Sequence, residues 1–234
     1  MGRQRSNRGA GRPRAVPYVG SLSARDQILD AAARLFVKKG FSATSTREIA
    51  EDCGMRQASL YYHFSGKDEI LVELLHRSVR PTVDKVEKIE ALVPPATHEA
   101  ALYLLALIDV RTLAAAPHNL GMLARLPEIT QCPAYDDYRE TRRELVDAYG
   151  RLGSSIAQNP LAALLGQEKL GELLLSWVDS VINLRMTGDT IHPRTAGAIA
   201  SSCLRVCGVA DDRIELARET AYQLLPGFQD EVPA

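Results

Sequence analysis

The chain has 234 residues, 46% of them hydrophobic, and a formal net charge of −1. That fits a soluble globular protein of one or two domains with a sizeable core. No apolar run approaches the roughly 18 residues of a membrane span. The N-terminus is polar, and the cysteines Cys53, Cys132, Cys203 and Cys207 form no C-x-x-C pair; a membrane protein, a secreted disulfide scaffold and a zinc ribbon are therefore not expected, and a cytoplasmic location is.

The near-zero charge hides an asymmetry. Residues 1–80 carry 14 Lys+Arg against 8 Asp+Glu, and residues 81–234 carry 14 against 21. A basic front end on an acidic remainder fits a nucleic-acid-binding module joined to a body that does not bind nucleic acid.

Residues 1–20 read as a disordered basic arm. Arg3, Arg5, Arg8, Arg12 and Arg14 have no acidic neighbour before Asp26, and Gly11-Arg12-Pro13-Arg14 looks like the core of an AT-hook. Pro13 would hold the chain extended so that Arg12 and Arg14 lie along a narrow minor groove. The alternative is a tail that adds only nonspecific attraction.

A first helix is predicted from Ala24 to Lys39. Ile28, Ala31, Ala32, Leu35 and Phe36 form one apolar stripe, Ser23 and Asp26 suit its start, and Gly40 its end. Ser45 and Glu48 make an S-x-x-E capping box that starts a second helix at Thr46, and Gly54 stops it. A third short helix carries Arg56, Gln57, Ala58, Ser59, Tyr61, Tyr62 and His63, anchored inward by Leu60 and Phe64 four residues apart. Two helices, a glycine turn and a polar second helix match a helix-turn-helix over about residues 44–63, which places its second helix in the DNA major groove.

Here the sequence resembles the TetR-type transcriptional regulators. The resemblance rests on Ile28 through Phe36 with Gly40 and Phe41, Thr46-Arg47-Glu48-Ile49-Ala50, Gly54, Ser59-Leu60-Tyr61-Tyr62-His63-Phe64 and Lys67, about the first third of the chain. Arg56, where a small capping residue is usual, and Gln57-Ala58 depart from the common pattern. The expected fold is all-α, with a DNA-binding domain over residues 21–81 and a larger helical effector-binding and dimerisation domain over 82–234.

Chemistry assigns the expected DNA contacts. Thr46 and Arg47 open a helix, where backbone N–H groups favour a phosphate. Ser59, Tyr61, Tyr62, His63 and Lys67 are expected to hold phosphates and set register. Arg56 and Gln57 enter the groove first; Arg suits guanine and Gln suits adenine, each bidentately, and Ala58 or Tyr62 can meet a thymine methyl. A fourth helix should open at a Ser65–Asp68 capping box and run to Arg80, where Pro81 breaks it. The resemblance implies that this helix joins the reading head to the body, so that its tilt sets the spacing of two heads.

Beyond Pro81 the pattern stays helical. Predicted helices cover Thr82 to Leu92, about Thr97 to Leu113, Asn119 to Leu126, Ala134 to Gln158, Glu168 to Met186, Pro193 to Val209 and Asp211 to Leu224. By resemblance, two late helices meet their two-fold copy, with Trp177, Val181, Ile199, Cys203 and Leu204 in the dimer interface. The competing reading turns both apolar stripes toward their own core. The resemblance also implies a small-molecule pocket in the body, with Tyr103, Arg125, Tyr138, Arg142, Trp177 and Asn183 as candidates beside Arg111 and His118.

The expected function is a ligand-responsive repressor that binds a palindromic operator in double-stranded DNA as a homodimer and is released by a small molecule. Alternatives are an activator or an architectural, ligand-independent DNA-binding protein. None of His63, His76, His98, His118 and His192 belongs to H-E-x-x-H, and no G-x-S-x-G or P-loop pattern occurs. No enzyme activity, cofactor, metal or membrane partner is expected.

Overall fold

The computed structural model describes residues 22–133, 135–187 and 191–231. Arg12 and Arg14, with the AT-hook reading, lie outside the described residues. Thirteen α-helices and no strand occur among those residues.

The head consists of α1 (Ala24–Lys39), α2 (Thr46–Asp52) and α3 (Gln57–His63). The Ser23 hydroxyl accepts from the Asp26 backbone N–H at the start of α1, and Gly40 at φ 89° ends it. The Ser45–Glu48 box is fully formed, each side chain bonded to the other residue's backbone; such a cap stabilises a helix by about 1 kcal/mol. α2 closes in a Schellman turn: Gly54 at φ 67° lets its N–H reach the Glu51 carbonyl and the Met55 N–H reach the Ala50 carbonyl. Ile28, Phe36, Ile49, Leu60 and Phe64 fill the core between these helices.

α4 (Lys67–Val83) leaves the head and continues through Pro81 for two residues, contrary to the expected break. Pro81 has no N–H to offer the Arg77 carbonyl, so the helix forgoes one bond there and closes two residues later. The start differs as well: Ser65 bonds Glu69 rather than Asp68, through both its backbone N–H (2.6 Å) and its hydroxyl (2.8 Å).

The body follows as α5 (Val86–Leu92), α6 (Glu99–Ala115), α7 (Leu120–Leu123), α8 (Pro127–Thr130), α9 (Tyr135–Ile156), α10 (Pro160–Val178), α11 (Ser180–Met186), α12 (Pro193–Val206) and α13 (Asp211–Leu224). Three spans differ from the sequence reading. Thr82 and Val83 belong to α4, not α5. The expected helix over Asn119 to Leu126 is reduced to α7, and α8 follows it where no helix was expected. The expected Glu168–Met186 helix begins at Pro160, bends at Gly166 (φ 72°) and divides at Asp179.

α6 is the axis of the body. Every residue from Glu99 to Val110 is buried, as befits a helix apolar on all sides. α4, α5, α9, α12 and α13 surround it. α9 and α10 approach so closely that a methyl on Gly171 would lie 2.2 Å from the Val146 carbonyl oxygen, and one on Gly150 2.3 Å from that of Gln167.

Two polar clusters sit inside this packing. Tyr149 on α9 and Thr82 on α4 donate hydroxyl hydrogen bonds to the two oxygens of Asp109 on α6, at 3.1 and 3.2 Å. Burial, with the charge of Asp179 adding to it, pushes the Asp109 carboxyl up to about 7. Arg142 bonds the Asp179 carboxylate at 2.6 Å, and Arg125 bonds the Asp179 carbonyl at 3.3 Å and the Asn183 side chain at 2.7 Å.

These packings correct two sets of expected roles. Val181, Ile199, Cys203 and Leu204 are buried within their own body, so their side chains are not free to form a dimer interface. Burial pushes the Cys203 thiol up to about 12 and the Cys207 thiol to about 11, which leaves both as unreactive core groups. Tyr103 and Tyr138 are core residues as well, the Tyr103 hydroxyl lying 3.3 Å from the Gly197 carbonyl. Arg125, Arg142 and Asn183 gather around Asp179 instead of facing an open pocket. Trp177, common to both sets, remains at the surface, 45% exposed, and Arg125 and Asn183 of the pocket set are exposed as well.

Candidate nucleic-acid interface

α3 is held from behind and bare in front. Leu60 and Phe64 anchor it in the head core. Arg25 on α1 clamps its far end: the guanidinium donates to the His63 carbonyl at 2.7 Å and to Glu73 at 2.8 Å, and lies 4.1 Å from the centre of the Phe64 ring. Such a charge-assisted, stacked contact fixes orientation as well as contributing energy.

The opposite face carries the expected readers. Arg56, Gln57, Ala58 and Ser59 are exposed, and Tyr62 is 87% exposed with its ring edge-on to His63. Arg56 sits at the N-cap without a side-chain capping bond, which leaves its guanidinium free of the helix. Tyr61 is half exposed rather than packed in the core, and its hydroxyl lies 3.1 Å from the Thr46 hydroxyl. The Gln57 amide donates to that same Thr46 oxygen at 3.0 Å. The start of α2 and the face of α3 are thereby joined into one polar surface. Arg47 stands at its edge, bonded among the described residues only to Glu51, at 2.8 Å across one helical turn; an exposed, solvent-screened pair of this kind yields readily to a phosphate.

Lys67 departs from the expected phosphate role. Its ammonium bonds the carbonyls of Phe41, Ser42 and Thr44 at 3.1, 3.4 and 3.2 Å and lies over the Phe41 ring. With three donors engaged, it ties the turn between α1 and α2 to the start of α4.

The sequence reading missed the contacts between head and body. Glu128 on α8 accepts hydrogen bonds from the Phe41 backbone N–H (3.2 Å) and the Ser42 hydroxyl. His118, beyond α6, meets Asp30 of α1 at 2.8 Å. Arg77 on α4 bonds Asp26 of α1 at 2.7 Å. These partners lie 51 to 88 residues apart, and no local pattern links them. Of the eight residues proposed for the body's pocket, only His118 borders a cleft of about 520 Å³ between α1, α4 and the α6–α7 turn.

The family described as bacterial regulatory proteins, tetR family, matches residues 28–74, which covers α1 to α3 and half of α4. The KstR2 transcriptional repressor of Mycobacterium tuberculosis is 43% identical over 53 residues, 23% of this chain and 26% of that protein. The HTH-type regulator YerO of Bacillus subtilis is 35% identical over 66 residues, 28% of this chain and 23% of that protein. The chain thus spans about a quarter of the length of these curated relatives. The crystal structure of AmtR from Mycobacterium smegmatis is similar over far more: 36% identity, 89% of this chain and 98% of that one, with a TM-score of 0.77. With its helix-turn-helix head on an all-helical body and this likeness over nearly its whole length, the chain belongs to the TetR family of transcriptional regulators.

Proposed function

We propose that this protein is a repressor that binds a palindromic operator as a homodimer, reads it with α3, and is released by a small molecule. The exposed face of α3 carries the proposal. Arg56 and Gln57 would make the base contacts, Ala58 and Tyr62 would meet thymine methyls, and Thr46, Arg47, Ser59, Tyr61 and His63 would hold phosphates. The Gln57–Thr46 bond would exchange for a bond to an adenine edge on docking.

The outer side of α10 and α11 supports dimerisation. Leu164, Trp177, Leu184 and Met186 are large apolar side chains left exposed there. Pairing of two copies is what a two-fold operator requires. α4 would carry the response, since Arg77 ties it to the head and Thr82 ties it to Asp109 in the body.

Fluorescence anisotropy of the protein on its own upstream DNA, across a salt series and alongside light scattering, tests this reading. Two chains per site and tight binding of one palindrome are expected, with Trp177→Glu shifting the protein toward monomer and weakening the complex. Equal affinity for scrambled DNA at every salt concentration would overturn it in favour of an architectural role.

A further inference from the structure

The cleft between head and body joins two unlike surfaces. Leu29 and Ala33 of α1, Leu74 of α4, and Leu113 and Leu120 on the body side give it apolar walls. Its volume of about 520 Å³ is that of a small-molecule site. Its lining charges are Asp26, Asp30, Arg77 and Arg185, together with His118. Arg77 pairs with Asp26 and Glu73, and Asp30 with Arg34 and His118. Arg185 alone of these has no acidic partner among the described residues. Its guanidinium donates to the carbonyls of Leu113 and Ala116, both at 2.5 Å, at the exposed end of α6. A guanidinium has five N–H donors, so donors remain. It is half-buried, and burial works against its charge. A half-buried cation at the end of an apolar cleft favours an anion that brings its own apolar body.

We propose that this cleft binds a compact amphipathic monocarboxylate, its carboxylate on Arg185 and its apolar body between α1 and the α6–α7 turn. A dianion is disfavoured, because Asp26 and Asp30 line the same cleft. The occupant would touch the head through Leu29 and Ala33 and the body through Leu113 and Leu120. It can therefore bias the seam closed by His118–Asp30 and Glu128–Ser42, with differential contacts in the two arrangements. The inference rests on the reading that a small molecule controls DNA binding, and it names the place and the chemistry.

The test uses the full-length protein and a photoreactive diazirine-bearing decanoate, with the matching alcohol as an uncharged control. Binding is followed by calorimetry, and labelled peptides are mapped by mass spectrometry. The carboxylate should bind at least tenfold more tightly than the alcohol and should label peptides from α1 and the α6–α7 turn. Arg185→Gln should remove the preference for carboxylate over alcohol. Because Arg185 also caps α6, Leu120→Trp provides a second variant: it fills the cleft, leaves Arg185 in place, and should lower labelling at least tenfold. Equal binding of acid and alcohol, labelling elsewhere, or full labelling of Leu120→Trp would overturn the site. Anisotropy on a selected palindrome without any carboxylate separates this from the repressor reading. Specific DNA binding without cleft labelling ends only the present inference, and cleft labelling without specific DNA binding ends the repressor reading.

Discussion

α3 and α6 are opposite solutions to the placing of a helix. α3 has seven residues, of which Leu60 alone is buried, and its other side chains face outward. α6 has 17, with everything from Glu99 to Val110 enclosed. In α3 one anchor and a clamp at Arg25 suffice, so the rest of the surface is available for recognition. In α6 the side chains from Glu99 to Val110 are enclosed by neighbours, and its two buried acids serve as joints, Glu99 to Arg213 of α13 and Asp109 to α4 and α9. The lesson is that stability and recognition are carried by different helices, so substitutions in the two should separate cleanly.

The largest separation should come from Leu104→Ala in α6. It removes a fully buried side chain and should destabilise the protein by about 2–5 kcal/mol, measured by urea unfolding, while the folded fraction keeps its base preference. Gln57→Ala on α3 should do the reverse. Its loss should be about 1–3 kcal/mol at a single position of each half-site, with a change in unfolding free energy within about 0.5 kcal/mol. A selection profile unchanged by Gln57→Ala would remove that contact from the interface.

Asp109 gives the body a pH signature of its own. Its carboxyl titrates at about 7 when folded, against about 3.9 in an unfolded chain. Between about pH 4 and pH 7 the folded state holds a proton that the unfolded state has released. The stability contributed by this site therefore falls as pH rises through that window. Asp109→Asn should flatten this part of the profile, so its stability relative to the wild type should improve from pH 4 to pH 7. Parallel profiles would show that Asp109 is ionised in the fold.

The smallest effect belongs to Arg47→Ala. It should weaken binding to all sequences alike and lower the salt slope by about 0.9 per half-site. A changed base preference would place Arg47 in the groove instead of on a phosphate.

The same contrast explains what could be read from the sequence. The bounds of α1 and α13, and the Ser45–Glu48 box before α2, follow from residues within one turn of each other, and the structure has them as expected. The Leu60–Phe64 anchor was legible for the same reason. α6 shows no preferred face, so the burial of Tyr103 could not be read from spacing. The small-residue stripe of α12 fits a neighbouring helix of the same chain as well as it fits a second copy, and in the fold Cys203 and Leu204 face inward. Lys67 has the charge for a phosphate, yet three carbonyls of the α1–α2 turn meet it first. The seam between head and body, with Asp30–His118 and Ser42–Glu128, depends on chain segments brought together only by folding.

The most direct test of reading by α3 is selection of DNA from a random-sequence pool by the full-length protein, with Gln57→Ala run in parallel. The expected result is a palindrome for the wild type, and the same palindrome relaxed at one symmetric pair of positions for the variant. A pool that yields no palindrome, or one read identically by both proteins, would contradict the assignment of α3 as the reading helix.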